Sequence, residues 1–253
     1  STISRAELDH EATLAATRLG KPFEKPGPNI REGLDYIDIR GDGVLHVRIA
    51  NWYRARAKRD HARMTQMELE VGALLVAGAP TEVKNDEGLS PLLQACKYDA
   101  GTIVRVLIAA EAEFQQVQNA QKLRPLLLAA QENSPNAFEV VADALREKGV
   151  LASAARRPGN GYTVLHFAAI ADAADLIKRA GRFDEFRKSV DVLSSEGDVK
   201  TGALHKCAMY GHLEAMTALL ELGADVDLRD SNGATALHVA ALAARFERDR
   251  RHK

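Results

Sequence analysis

Apolar residues along this chain gather in short clusters that return at nearly regular intervals. Six clusters share a tetrad with leucine at its third position: GVLH (43–46), SPLL (90–93), RPLL (124–127), TVLH (163–166), GALH (202–205) and TALH (235–238). Ser90, Thr163 and Thr235 offer the side-chain oxygen that a helix N-cap needs, and Pro91 suits the first helical position. The tetrads therefore predict that short helices begin near Ser90, Thr163 and Thr235.

The spacing of the tetrads indicates a repeated unit. Their last residues lie 47, 34, 39, 39 and 33 residues apart. The unit is clearest in GALHKCAMYGHLEAMTALLELGADVDLRD (202–230), where Gly211 joins two helices and Gly223 ends the second. Asn85 and Asp230 precede their tetrads by the same interval, and short polar side chains suit tight turns. Each unit is predicted to contain a turn, a short helix, a loop and a longer helix.

The repeated unit resembles the ankyrin repeat, a 33-residue unit built on a T-P-L-H-x-A core, and the resemblance covers roughly residues 38–244. It implies an all-α fold, namely an ankyrin-type solenoid of about six helix-turn-helix repeats with irregular insertions and a helical N-terminal cap. It also implies that the tetrad histidines are structural, with hydrogen bonds inside their own unit and to the neighbouring loop: His46, His166, His205 and His238.

Three segments are predicted along the chain. Residues 1–36 form a capping helix and a proline-rich linker, because Ser4 and Glu7 make a capping-box pattern and three prolines follow the helix. Residues 37–246 form the repeat domain. Residues 247–253 form a charged tail, and the last unit, which has a first helix and no second, is either a helical cap or cut from something longer. We favour the cut.

Two units depart from the regular period. The first interval carries about 14 more residues than a 33-residue repeat. The excess lies near YRARAKRDHARMTQ (53–66), which has no glycine or proline, so it predicts extended helices or a helical excursion. The fourth unit is also irregular, with an enlarged finger after its second helix, and its register stays open.

The composition agrees with thin layers of stacked helices. The chain has 253 residues, 46% of them hydrophobic but only 5% aromatic, and a formal net charge of −1. No apolar run approaches the ~20 residues that span a bilayer. Cys96 and Cys207 fall at small, buried positions, which favours free thiols over a disulfide. We therefore expect a cytoplasmic or nuclear location.

Motifs that carry catalysis are missing from the sequence. His10, His61 and His252 have no cysteine or histidine partner at zinc-site spacing, and the resemblance gives the tetrad histidines and His212 structural roles. A Walker loop, a G-x-S-x-G elbow and an H-E-x-x-H helix are all absent. We therefore expect no catalytic residue, no cofactor and no metal.

The predicted function is non-catalytic binding of another protein. In the ankyrin family the partner usually lies on the concave face, which turn tips and short inner helices form. The predicted partner-binding residues occupy those positions: Lys97, Tyr98, Gln131, Glu132, Tyr162, Met209 and Tyr210. Tyrosine and methionine are common interface anchors. Packing against the next repeat is an equally good explanation for any one of them.

The basic insertion of the first unit predicts a second contact with an acidic partner, through six residues: Trp52, Tyr53, Arg54, Arg56, Lys58 and Arg59. The alternative, an insertion that is merely tolerated, stays open. Nucleic acid and an anionic membrane are disfavoured, because acidic residues dilute the basic stretches. A rival function is that of a regulatory or targeting arm of a larger enzyme or effector, whose catalytic part lies outside this chain.

Overall fold

The computed structural model describes residues 41–196 and 199–251, and the capping helix and linker predicted for residues 1–36 lie outside them. Within the described ranges the chain forms thirteen helices and one small two-stranded sheet. The all-α prediction is therefore confirmed. The described chain divides into two compact units, with the boundary between Pro125 and Leu126.

The first unit contains two helix pairs. Its helices are α1 (Val44–Ala57), α2 (His61–Val76), α3 (Pro91–Lys97) and α4 (Gly101–Ala109). Helix α1 packs against both α2 and α3, and α2 packs against α4, so each element meets its own partner and its neighbour in the next pair. This neighbour-only packing is what a stack of repeats requires.

The second unit continues the same alternation of short and long helices. Its helices, of which α5 begins at the boundary, are α5 (Pro125–Gln131), α6 (Pro135–Glu147), α7 (Leu151–Ala154), α8 (Val164–Ile170), α9 (Ala174–Ala180), α10 (Asp184–Arg187), α11 (Ala203–Tyr210), α12 (Leu213–Leu222) and α13 (Ala236–Arg251). The inner helices α8, α11 and α13 pack in sequence, and so do the outer helices α6, α9 and α12. Because α13 continues to Arg251, the boundary predicted after residue 246 falls inside a helix.

The helix starts agree with the tetrads. Helices α3, α8 and α13 begin directly after Ser90, Thr163 and Thr235. The Ser90 hydroxyl accepts a hydrogen bond from the Leu93 amide at 3.4 Å, as an N-cap should. Thr163 differs, because its hydroxyl bonds the Nδ1 atom of His166 at 2.8 Å instead of a helix amide. Threonine at this position therefore orients a histidine.

The tetrad histidines form hydrogen bonds at the start of their own helices, and three of them also bond the turn of the following repeat. In three of them Nδ1 accepts from the backbone amide three residues earlier, while Nε2 bonds a carbonyl of the following turn: His46 to Leu89, His166 to Thr201 and His205 to Ala234, at 2.9, 2.9 and 3.0 Å. With Nδ1 as acceptor, each ring is neutral and donates from Nε2. The structural role predicted for these histidines is confirmed.

Acidification should therefore weaken the protein through His166. Burial, with smaller contributions from nearby Lys206, Arg156 and His205, lowers the pKa of the imidazole from 6.5 to about 4. The unfolded chain takes up the proton first as pH falls, so stability is lost between pH 6.5 and 4, by up to ~3 kcal/mol. Urea unfolding of wild type and His166→Gln at several pH values checks this, with His238→Gln at an exposed copy as control.

We expect His166→Gln to be less stable than wild type at pH 7, and the two to converge as pH approaches 4. A stability difference that stays constant over this range would contradict the assignment.

The turns before the tetrads have the predicted side-chain chemistry. Asn85 Oδ1 accepts from the amides of Glu87 and Leu89 at 3.2 and 3.0 Å. Asn119 and Asp230 repeat this pattern of two amide donors. Helices α11 and α12 end at glycines with φ of 73° and 101°, a conformation that glycine adopts without a side-chain clash.

The irregular fourth unit packs around an aromatic cluster. Phe138 of α6 meets Phe183 and Phe186, and all three are almost fully buried. Beyond them, the chain forms a hairpin of β1 (Ser194–Glu196) and β2 (Val199–Thr201), with Ser194 paired to Thr201. The enlarged finger therefore consists of a short helix and a hairpin, and Phe183 and Phe186 anchor its base.

The excess residues of the first repeat lengthen its two helices, α1 and α2. Helix α1 has 14 residues and α2 has 16, against 7 and 9 for α3 and α4. A turn at residues 58–60 joins them, and Asp60 Oδ1 accepts from the Arg63 amide at 3.0 Å as the cap of α2. The prediction of extended helices is confirmed.

Candidate functional site

The C-terminal end of inner helix α11 exposes two large apolar side chains. Met209 is 42% exposed and Tyr210 is 52% exposed. Both lie just before Gly211, where the helix ends. Leu213, at the start of α12, is 67% exposed. Three large exposed side chains within five residues of one helix junction are typical of a contact surface, because isolated exposed residues need no explanation but clusters do.

A fixed histidine supports the ring of Tyr210. The Tyr210 and His212 rings stack with centroids 5.7 Å apart and planes 24° apart. His212 Nδ1 donates to the Ala169 carbonyl at 2.9 Å, which anchors the imidazole to the preceding inner helix. One face of the tyrosine is thus held before any partner arrives, and this lowers the entropy that binding must remove.

Gln131 and Glu132 mark the corresponding end of helix α5. Gln131 Nε2 donates to Glu132 Oε1 at 3.2 Å. Glu132 is exposed and Gln131 is half-buried. This end is polar, so it offers hydrogen bonds to a partner and no apolar anchor.

Tyr162 is less accessible than the sequence suggested. Only 7% of its surface is exposed, and its ring packs against the rings of His166 and Phe167. The ammonium of Lys206 lies 5.5 Å from the ring centroid. The loop closes over the ring because the Arg157 amide donates to the Tyr162 carbonyl at 2.7 Å. Tyr162 therefore belongs to the core of the second unit.

Lys97 and Tyr98 end inner helix α3 of the first unit. The Lys97 ammonium forms a 2.7 Å ion pair with Glu87. Tyr98 is half-buried, and its ring stacks on that of Tyr53 with centroids 4.3 Å apart and planes 16° apart. Tyr53 is 46% exposed. The two tyrosines form one aromatic surface, to which two successive helix pairs contribute one ring each.

Trp52 and Arg56 hold the first unit together. Trp52 is 4% exposed, and its indole N–H donates to Glu68 Oε1 at 2.9 Å, so it is not an exposed anchor. Arg56 donates to the Tyr98 carbonyl at 2.7 Å and to Asp99 Oδ2 at 3.2 Å. Its guanidinium thereby ties α1 to the end of α3. Both were predicted as contact residues, and both are occupied by intramolecular bonds.

Sequence reasoning missed the pairing of Tyr53 with Tyr98. The two residues belong to different repeats, and only the lengthening of α1 brings Tyr53 level with the end of α3. The sequence did contain a signal for this pairing, namely the long interval between the first two tetrads. About four additional helical turns must place some residues beyond the end of a regular inner helix.

Buried titratable groups at the two units point to packing and not to chemistry. Burial raises the pKa of Glu68, although hydrogen bonds from Trp52 and Thr102 partly oppose it. Burial also raises the pKa of both free thiols, that of Cys207 to about 12, so neither is a ready nucleophile. Among the described residues, no group of three or more potential ligands could hold a metal ion. No helix within those residues has the length and apolarity needed to cross a bilayer.

These features define a helical-repeat protein with exposed side chains at the ends of its inner helices. The family model for ankyrin repeats (many copies) matches residues 204–248. The Caenorhabditis elegans ankyrin repeat and KH domain-containing protein mask-1 is 30% identical over 205 residues, which cover 70% of this chain and 8% of that protein. The chain belongs to the ankyrin repeat family, whose repeats serve as protein-interaction modules.

Two other relatives match shorter stretches. The Mus musculus protein phosphatase 1 regulatory subunit 27 is 38% identical over 65 residues, 25% of this chain and 40% of that protein. The Drosophila melanogaster palmitoyltransferase Hip14 is 37% identical over 77 residues, 30% of this chain and 11% of that protein. The chain spans less than half the length of each of these curated relatives.

A solved structure shows the same fold. The human ASB11 ankyrin repeat domain superimposes with a TM-score of 0.57 at 20% identity, over 92% of this chain and 90% of that one.

Proposed function

We propose that this chain is a non-catalytic module that binds another protein through the C-terminal ends of its inner helices. The observation that carries the proposal is the pair Met209 and Tyr210, 42% and 52% exposed at the end of α11. Methionine adapts its shape to a partner, and tyrosine offers a large, rigid contact with one polar end. Burying the two side chains against a partner removes apolar surface from water, which favours the contact.

The same helix position in other repeats carries further candidate contact residues. Lys97 and Tyr98 occupy it at the end of α3, and Gln131 and Glu132 occupy it at the end of α5. These residues combine an aromatic ring with charged and amide groups, which protein interfaces contain beside their apolar anchors.

Replacing either Met209 or Tyr210 with alanine should weaken binding of the partner by more than about 1 kcal/mol. Only a minority of interface residues reach such a cost. The partner is first captured from a lysate of the source cell with the wild-type chain. Affinity is then measured by calorimetry for both variants and for Thr217→Ala, an exposed position on outer helix α12.

Circular dichroism verifies that each variant is folded. Thr217→Ala should bind like wild type. Wild-type affinity in both Met209→Ala and Tyr210→Ala would refute the proposed surface.

A second function is favoured by one observation. The match to palmitoyltransferase Hip14 covers only 11% of that protein, so a related stretch occurs there as part of a much longer chain. The present chain would then act as the regulatory or targeting arm of a larger enzyme or effector, and the same inner-helix ends would select its partner. The reading frame that encodes the full protein separates the two alternatives. Because both cysteines are buried as free thiols, we propose a reducing compartment, cytoplasmic or nuclear, for either.

A further inference from the structure

The turn between α1 and α2 carries a concentration of positive charge. Arg54, Lys58, Arg59 and Arg63 all lie within ten residues around this turn, and all four are exposed. We call this group the basic tip. Lys58, the residue that caps the C-terminus of α1, follows Arg54 by four positions with helical backbone, so the two share a face.

No carboxylate among the described residues neutralises the charges of the basic tip. None of the four forms an ion pair with a carboxylate among the described residues. Arg54 donates only to the neutral amide of Asn51, at 2.9 Å. The one acidic residue in the turn, Asp60, uses a carboxylate oxygen to cap α2.

The basic tip adjoins an exposed aromatic surface. Tyr53 precedes Arg54 in α1, is 46% exposed, and stacks on Tyr98. The stack fixes the orientation of the Tyr53 ring. A flat apolar surface next to several cations suits a ligand that has negative charges beside an apolar side chain.

The stacking of repeats does not require this extension. Helices α3 and α4 complete their pair with 7 and 9 residues, whereas α1 and α2 use 14 and 16. The added turns do contain buried residues, Trp52 and Ala55, and the bridging Arg56. Within the part of the chain that the structure describes, none of the four cationic groups of the basic tip bonds another helix, so packing there does not explain them.

We propose that the basic tip binds an acidic segment of a partner protein, with an apolar side chain of that segment on the Tyr53–Tyr98 stack. Guanidinium groups pair with carboxylates through two parallel hydrogen bonds, which favours arginine-rich surfaces for this role. A nucleic acid fits less well, because phosphate backbones are bound by longer tracks of cations. This surface lies in the first unit and is independent of Met209 and Tyr210.

The test uses a defined probe in place of the unknown partner. A fluorescein-labelled peptide of alternating glutamate and aspartate with a central phenylalanine is titrated with the full chain, and binding is followed by anisotropy. A peptide with glutamine and asparagine in place of the acids, and a short thymidine oligonucleotide, are titrated in parallel. We expect the acidic peptide to bind more tightly than both, and its affinity to fall as salt rises.

Charge reversal locates the site. Glutamate at all four positions of the basic tip should reduce peptide affinity by about tenfold or more, since like charges now face the ligand. The matched control reverses four exposed cations elsewhere: Arg105, Lys148, Lys178 and Lys188. The control should stay within about threefold of wild type. If the reversed tip fails to fold, the neutral pair Arg54→Gln and Lys58→Gln is used, with an expected loss of about threefold or more.

Tyr53→Ala should lower affinity for the phenylalanine peptide more than for a matched peptide with alanine at its centre. Tighter binding of the oligonucleotide would overturn the proposal in favour of nucleic acid. Equal losses in the tip and control variants, or no binding of the acidic peptide, would overturn it outright.

Discussion

Replacing Phe138 with alanine is expected to lower the free energy of unfolding of the second unit by about 3–5 kcal/mol. Phe138 is fully buried, and its ring lies 6.4 Å from that of Phe183 and 5.5 Å from that of Phe186. Truncation removes one of three packed phenylalanine rings and leaves a cavity that the surrounding side chains fill only in part. Urea unfolding followed by circular dichroism measures the loss.

The control for this prediction is an aromatic residue that is not buried. Tyr210→Ala should cost less than about 1 kcal/mol, because the ring is 52% exposed and contacts only the His212 ring among the aromatic groups of the described chain. A loss below about 1 kcal/mol for Phe138→Ala would show that the finger of the fourth unit is not anchored through this cluster.

Replacing Leu165 with alanine is expected to lower the free energy of unfolding by about 2–5 kcal/mol. Leu165 is the third residue of its tetrad and is fully buried. Leu237 holds the same position in the last tetrad and is 78% exposed. The chain therefore contains its own control, and Leu237→Ala should change stability by less than about 0.5 kcal/mol.

Comparable losses in Leu165→Ala and Leu237→Ala would contradict this account of the repeat core, because they would mean that burial does not distinguish the two copies. Thermal unfolding of both variants under one set of conditions decides the matter. Repeat stability is a sum of local terms, so the Leu165 effect should be largest in α8 and its neighbours when amide exchange is measured.

The parts of the fold that the sequence predicted are those set by local rules. The helix start at Ser90 follows from capping, and helix ends at Gly211 and Gly223 follow from the conformation that glycine alone adopts readily. The hydrogen bonds from tetrad histidines to the turn of the next repeat follow from the recurrence of the tetrad. These features repeat because each unit must bury its apolar face against the next one.

The candidate site was less predictable, because exposure depends on contacts between residues far apart in sequence. Tyr162 at a turn tip and Tyr98 at an inner-helix end were both expected at the surface, but one is enclosed by its own loop and the other stacks on Tyr53. Trp52 was expected at the surface and is buried against Glu68 of α2. Nothing in a single tetrad indicates which of these outcomes holds.

The hairpin of the fourth unit shows the same limit. Residues 194–201 have no strong strand pattern, yet Ser194 pairs with Thr201. The hairpin also bonds residues far from it in sequence: the Ser195 amide donates to the Asn160 carbonyl at 2.8 Å, and His166 Nε2 bonds the Thr201 carbonyl at 2.9 Å. Such tertiary contacts override weak local propensity.

The central claim is that the inner-helix ends contact a partner protein, and site-specific photo-crosslinking tests it most directly. A benzophenone amino acid is placed at position 210 in one variant and, as control, at Thr217, an exposed position of α12. The account predicts that illumination links the partner to the chain from position 210 and not from position 217. Equal linkage from both positions, or linkage from 217 alone, would contradict it.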